Sequence, residues 1–460
     1  MKSSIETDEK LKWYEGITRY QWTVLIIASL GWIFDVFEGQ IFVASMNEAM
    51  PSLVSQENAA NIPTYNNIAL AAFLLGGAVG GIFFGMLSDR IGRTRTMSIT
   101  ILFYSLFTCI SAFSQQWWHM AGFRFLVAMG VGGEWAIASA MVNEVFPKRS
   151  RAHVGGIFHA SSVFGTYLAV MAGIFLIGNE SIQHWAAGLD VDFIDKSTIP
   201  WRLGFVLGVV PALLIIWIRM SLKEPDSWQQ ARQQATSQNA QPLGRIGDLF
   251  SQQFRSRTIV GVLLAAIGLA TFWGVHIYGK NVMKNAAQAE QIEEADQRAP
   301  ENELKYYEMI GMLCATTGAG LGLLAFGPIC QRYGRRPAFA FYHVIAVIIS
   351  LVVFLGNFST TALYPLLVIF GFFTVGMHAG YAIYFPELYP TRMRGTGTGF
   401  CFNAGRIIAA PILVLTGTMQ SRWELSQIQV GAYLSGLFLL ALIVLAFAPE
   451  TKDVVEGELI

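Results

Sequence analysis

The stretch GMLSDRIGR at residues 85–93 comes back at residues 327–335 as GPICQRYGR, 242 positions further along. A second pair, EVFPKRSR at 144–151 and ELYPTRMR at 387–394, repeats at an offset of 243. Two unrelated polar motifs that recur at one offset mark a duplicated chain. Each motif also ends a long apolar run, so the repeating unit is a set of apolar segments joined by short polar loops. Within the first motif, Gly85 and Gly92 permit close helix approach and a tight turn. Asp89, Arg90 and Arg93 are placed to pair with acids and helix ends of neighbouring segments.

Outward from these motifs, apolar runs lie near 21–46, 66–88, 97–113, 117–142, 152–178 and 202–219, then 258–280, 306–328, 338–357, 361–385, 395–418 and 428–448. A hydrocarbon core ~30 Å thick needs ~20 apolar residues per helix, and runs of that length fill the chain. Only 13% of the 460 residues are charged and 53% are hydrophobic, against about 25% charged in a soluble protein. The expected fold is an all-α membrane protein of twelve transmembrane helices in two pseudo-symmetric six-helix bundles. The first bundle takes residues 1–219, a Gln- and Ser-rich linker 220–257, and the second bundle 258–460. The loop at 179–201 leaves room for a surface helix, and the acidic loop at 281–302 reads as a solvated helical face.

Lys and Arg fix the expected orientation. The side holding the N-terminus and every second loop carries most of them, while the opposite loops carry only Lys196, Arg202, Lys280, Lys284, Arg298, Lys305 and Arg422. Both termini are therefore expected in the cytoplasm. The first twenty residues are polar and charged, so the first apolar run reads as an uncleaved span rather than a signal peptide.

Several function classes fall away. The formal charge is zero and no basic cluster is interleaved with aromatics, which leaves nucleic-acid binding without a footing. The four cysteines stand singly in apolar stretches with no metal-ligand spacing. No metal or cofactor is expected. No convergent nucleophile and base set appears, and no phosphate-binding loop, so neither an enzyme nor a pump driven directly by ATP is expected.

The motif at 85–93 resembles the G-x-L-x-D-R-x-G-R signature of the major facilitator superfamily, with Gln331 replacing the acid in the second copy. The resemblance covers the whole chain, and it implies a secondary transporter working by alternating access. It also implies cytoplasmic gating by Glu144 with Arg151 and Glu387 with Arg394, alongside Arg93, Gly327, Arg332, Gly334 and Arg335. Otherwise these charges only set topology. RFLVAMGVGGEW at 124–135, PELYPTRMRG at 386–395 and PETK at 449–452 are similar to the branch of sugar porters, organic-ion transporters and aromatic-acid, sialate or monocarboxylate symporters. The span-seven polar residues of sugar porters are missing, which favours organic anions.

Ionisable side chains inside spans cost ~2.5–3.5 kcal/mol each on insertion scales, so each is a functional candidate. Asp35 and Glu38 lie three apart in span one, Glu134 and Arg124 in span four, and Arg406, after Asn403, in span eleven. Arg406 would anchor a carboxylate, or be neutralised by an acid such as Glu134. Arg124 would bind the same anion or pair with Glu38 and Asp35. Asp35, Glu38 and Glu134 are the candidates for carrying a proton. His276 and the aromatics Phe272, Trp273, Tyr278, Tyr381 and Tyr384 either line a substrate cavity or serve helix packing.

The expected function is proton-coupled symport of a small monocarboxylate, sialate or aromatic acid. A sugar or organic-cation porter is the alternative, followed by a non-transporting membrane sensor. The expected partners are the solute, protons and the bilayer, with a monomer as the working unit in a plasma membrane of the bacterial inner-membrane type.

Overall fold

The computed structural model describes residues 14–190, 195–226, 229, 246–295, 300–389 and 394–452, so the 220–257 linker lies partly outside the described residues. The described residues form helices joined by short loops, with no strand among them. In the first half, α1 is Arg19–Leu53, α2 Ile62–Ile91, α3 Arg93–Ser111 and α4 Trp117–Val145. Helix α5 runs through Lys148–Ala160 and Ser162–Ala172 and ends in a π turn, Gly173–Ile177. Helix α6 joins Ile199–Val206 to Leu214–Ser221 through a 3-10 turn, Leu207–Leu213, that holds Pro211. Proline removes an intrahelical hydrogen bond there and tightens the backbone.

In the second half, α7 joins Arg255–Thr271 to Gly279–Ala295 across a π turn, Phe272–His276. Then come α8, Glu301–Tyr333; α9, Arg335–Leu355; α10, Thr360–Gly376 continued by His378–Glu387; α11, Arg394–Arg422; and α12, Gln427–Ser435 continued by Leu437–Ala446. Ten of these segments are long and apolar enough to cross a membrane. Helices α3 and α4 complete the twelve. Buried Thr94, Thr96, Ser98 and Thr100 lower the hydropathy of α3.

Some helices start where a side chain satisfies a free N–H group. Thr18 and Gln21 form a capping box at α1, Ser426 and Gln429 do so at α12, and the Ser359 hydroxyl accepts from Ala362 N–H at α10. Two hydrophobic clusters form, one drawing mainly on α1–α6 and one on α7–α12. Large apolar side chains such as Phe175, Leu213, Ile216, Leu355 and Phe447 stay exposed on the outside. On a membrane protein that surface faces lipid.

The duplication is visible in the packing. Helix α4 meets α2 so closely that a Cβ at Gly76 or Gly80 would overlap the backbone of Phe125 or Met129. Helix α10 meets α8 in the same manner, with Gly318 and Gly322 against the carbonyls of Val368 and Phe372. Small residues spaced four apart permit this backbone approach between membrane helices.

Several helices outrun the apolar runs that located them. Helix α7 continues to Ala295 and α8 begins at Glu301, so Lys280 and Lys305, read above as loop charges, sit inside helices and are buried. The surface helix allowed for at 179–201 is present as Glu180–Ala187. The acidic segment is not all solvated, because Glu290 accepts from both the backbone N–H and the hydroxyl of Thr360 at 2.8 Å, fastening α7 to the start of α10.

Candidate functional site

Between the halves lies a cavity of about 190 Å³. Its walls are aromatic: Trp32 from α1, Phe73 from α2, Trp135 from α4, Phe272 and Trp273 from α7, and Phe402 from α11. The π turn in α7 places Phe272, Trp273 and His276 on this wall together. A π turn adds a residue to the turn and so shifts which side chains face inward.

Arg406 supplies the cavity with a cation. Its guanidinium lies over the Phe402 ring, 5.1 Å from the centroid, and its buried Nε has no hydrogen-bond partner among the described residues. Gly77 makes the space, since a Cβ there would collide with the guanidinium. Asp35 shares the cavity wall with Arg406, whereas Glu134 is not among the lining residues. The Glu134 carboxyl packs against Gly31 of α1, one helical turn from Asp35, and both acids are buried. All four oxygens of Asp35 and Glu134 are buried without a donor among the described residues. A proton between them would supply that donor.

The remaining sequence candidates fall into other places. Arg124 is buried away from the cavity, donates to the Glu38 backbone carbonyl at 2.6 Å and stacks on Phe73 at 4.6 Å. It thus holds α4 to α1, next to the buried Glu38 carboxyl. His276 serves both readings given above: it lines the cavity, and its Nδ1 lies 3.0 Å from the Thr374 hydroxyl. Asn403 donates to the Gly399 carbonyl at 2.9 Å and packs against Gly81, outside the main cavity. Tyr381 donates to the Leu264 carbonyl at 3.1 Å and borders a smaller hollow beside the main one. Tyr278 and Tyr384 are likewise committed to hydrogen bonds, with Asn67 and the Pro449 carbonyl. The sequence marked Trp32 and Trp135 only as parts of family-like motifs, not as cavity residues, and did not single out Phe73 or Phe402. His159 and His378 line the cavity too, whereas His343 bonds to the Phe339 carbonyl elsewhere.

At the end of the bundle that holds the repeated motifs, the two halves carry matching devices. Gly92 and Gly334 adopt φ of 111° and 101°, left-handed values that glycine takes freely. Beside Gly92, Glu224 accepts from the backbone N–H groups of Arg93 and Thr94 at 2.6 and 3.1 Å. Beside Gly334, Glu450 accepts from those of Arg335 and Arg336 at 2.9 and 3.0 Å. Burial pushes the Glu450 carboxyl up, but the N–H groups of Arg335, Lys452, Arg336 and Thr451 outweigh it and hold it below the ordinary carboxylate range. Arg93 reaches Glu144 at 3.4 Å, and Arg335 grips Glu387 through Nε and an Nη at 3.0 and 2.7 Å. The motif acids thus pair with the motif arginines. The side chains of Asp89, Arg90, Arg151 and Arg394 lie outside the described residues. A Cβ at Gly85 or Gly327 meets nothing within 4 Å among the described residues. Arg332 packs over the Tyr333 ring and its backbone carbonyl accepts from Lys452.

At the opposite end, polar contacts join the halves. The Thr64 and Ser421 hydroxyls are 2.6 Å apart, and Asn67 Oδ1 accepts from Tyr278 and Thr416 at 3.2 and 3.3 Å. Lys280, Lys305 and Glu308 meet α1 in the same layer.

Among known proteins, residues 39–410 match the sequence model of the Major Facilitator Superfamily. The probable 4-methylmuconolactone transporter of Cupriavidus pinatubonensis is 25% identical over 447 residues, covering 96% of this chain and 94% of its own. The cis,cis-muconate transport protein of Acinetobacter baylyi is 29% identical over 355 residues, covering 76% of this chain and 77% of its own. The xylose transporter of E. coli, solved in an inward open conformation, superposes with a TM-score of 0.67 at 16% identity, over 95% of this chain and 99% of its own. That last likeness is one of fold.

Proposed function

The chain belongs to the Major Facilitator Superfamily, and from that premise we propose that it is a proton-coupled symporter of a small organic anion. It is a membrane transporter, and the anion reading rests chiefly on Arg406. A buried guanidinium with an unpartnered Nε, set in an aromatic cavity, is suited to a planar carboxylate: the charge meets the carboxylate in a forked pair and the rings stack on a conjugated body. The relatives' names support the same chemistry, since muconate and methylmuconolactone are unsaturated carboxylic acids.

Coupling follows from the competition for Arg406. While Asp35 is charged it neutralises the guanidinium and repels an incoming carboxylate. A proton taken up on Asp35, whose O–H then donates to the still-charged Glu134, leaves Asp35 neutral, removes that competitor and opens Arg406 to substrate. Loss of the proton on the other side of the membrane restores Asp35 and expels the anion. One proton therefore travels with each bound carboxylate, and the halves rock about the central site. Residues 1–219 and 258–460 are the rocking units and 220–257 joins them. The Lys and Arg bias supports placing the motif end and both termini in the cytoplasm of a bacterial inner membrane.

The test is uptake of labelled benzoate, cis,cis-muconate, lactate, sialate and hexoses into proteoliposomes, with and without an inward proton gradient. Gradient-stimulated uptake of a carboxylate that is lost in Arg406→Ala is expected. Hexose uptake indifferent to that substitution would overturn the reading.

A further inference from the structure

Four charged side chains that central binding does not use are gathered where α1 meets α7 and α8, at the end opposite the repeated motifs. Lys280 pairs with Glu308, donates to the Val43 carbonyl at 2.6 Å and also touches the central cavity. Lys305 lies 3.3 Å from Glu308 and 2.9 Å from Glu48, and donates to the Ala44 carbonyl. Asn47 completes the layer by donating to Glu308 at 3.1 Å. Lys280, Lys305 and Glu308 are each 4% exposed or less.

The ownership of these charges carries the argument. The second half contributes two lysines and one glutamate, while the first half contributes Glu48 and two backbone carbonyls, all from one stretch of α1. Together the set is neutral. When the two halves part at this end, α1 takes its acid and its carbonyls away. The second half is then left with an uncovered net positive charge, strengthened by nearby Lys284, at the roof of the cavity that holds Arg406. Buried cations that lose their partners need replacements.

We propose that Lys280, Lys305 and Glu308 form an outer docking station for the carboxylate of the transported anion, covered by α1 in the conformation described here and exposed when the outer end opens. Glu48 and the carbonyls of Val43 and Ala44 occupy the place that the incoming carboxylate takes. The station draws anions toward the mouth by its field and hands them to Arg406, one layer deeper. This inference rests on the organic-anion reading and on the orientation given above, and it adds a second, one-sided site to that reading.

Half-saturation for labelled benzoate and cis,cis-muconate, measured separately from the outer and inner faces in oriented vesicles carrying the full chain, tests it. Lys280→Gln or Lys305→Gln should raise the outer half-saturation about tenfold or more, the order of one lost charge-assisted hydrogen bond, with the inner value unchanged. The double variant Lys280→Gln/Glu308→Gln restores the net charge and leaves no orphaned Glu308 but still lacks the Lys280 donor, so its outer value should stay raised; a return to the unsubstituted value would show that Lys280→Gln acts only through the orphaned acid and would overturn the station. Glu48→Gln should not raise it. Equal changes from both faces, or an outer value that falls or holds in the lysine variants, would overturn the station and leave the cluster a latch. If the unsubstituted protein carries hexoses and neither acid, the anion reading fails and this inference fails with it.

Discussion

Gly77 and Arg406 form a pair in which the smaller residue decides what the larger can do. A methyl group at position 77 would overlap the guanidinium, so Gly77→Ala should displace the anchor without removing its charge. The expected outcome is a KM for carboxylate raised about tenfold, the size of a weakened charge-assisted contact, with Tm in detergent nearly unchanged. A normal KM would mean that Arg406 is not the anchor. Asp35 acts through the same cation, and Asp35→Asn leaves a neutral partner that no longer competes. Uptake in that variant should lose its response to the proton gradient while exchange of labelled for unlabelled substrate continues. A retained gradient response would shift the proton to Glu134 or Glu38.

The motif loops are built from a left-handed glycine, an acid that caps the following helix, and an arginine that reaches the acid ending α4 or α10. Gly334→Ala forces a side chain into a φ of 101°, at a cost of ~1–2 kcal/mol, and drives its methyl toward the Glu450 carboxylate. A lowered Tm is expected, larger than for Gly327→Ala, whose Cβ meets open space. The pH response of Glu450 has a definite sign. Its folded value is held below the ordinary 4.5, so the stability it adds is present above that value and is lost as pH falls through the folded one. Thermal unfolding below pH ~4.5 should therefore steepen in the unsubstituted protein relative to Glu450→Gln. Parallel curves would show that the four N–H contacts contribute little to stability.

The polar seam between the halves at the end away from the motifs implies that transport requires this seam to open. With the Thr64 and Ser421 hydroxyls 2.6 Å apart, cysteines at both positions should form a disulfide under mild oxidation. Transport should stop and return on reduction, with each single cysteine variant unaffected by the oxidant. Continued transport by the cross-linked protein would place the moving parts elsewhere. The lipid-facing apolar surface and the two hydrophobic clusters, each drawing mainly on one half, fit halves that move as units.

The membrane fold was legible along the chain, because crossing a bilayer requires apolar length that any linear reading detects, and because a duplication leaves its offset in the loops. The sequence by itself also exposed Asp35, Glu134 and Arg406, since a charge inside an apolar run stands out by cost alone. It did not reveal how they are arranged around the cavity. Whether Arg406 faces Asp35 or Glu134 depends on helix rotation and on which spans become neighbours, and residues 35 and 406 come from opposite ends of the chain. The aromatic box was hidden for the same reason: Trp32 and Trp135 stand in family-like motifs and Phe402 in an ordinary span, and nothing in the linear order shows that three helices bring them together. Lys280, Lys305 and Glu308 were hidden more deeply. They lie where hydropathy fades, so a linear reading assigned Lys280 and Lys305 to water. Tertiary packing decided otherwise, because oppositely charged side chains from α1, α7 and α8 satisfy one another there and make their burial tolerable.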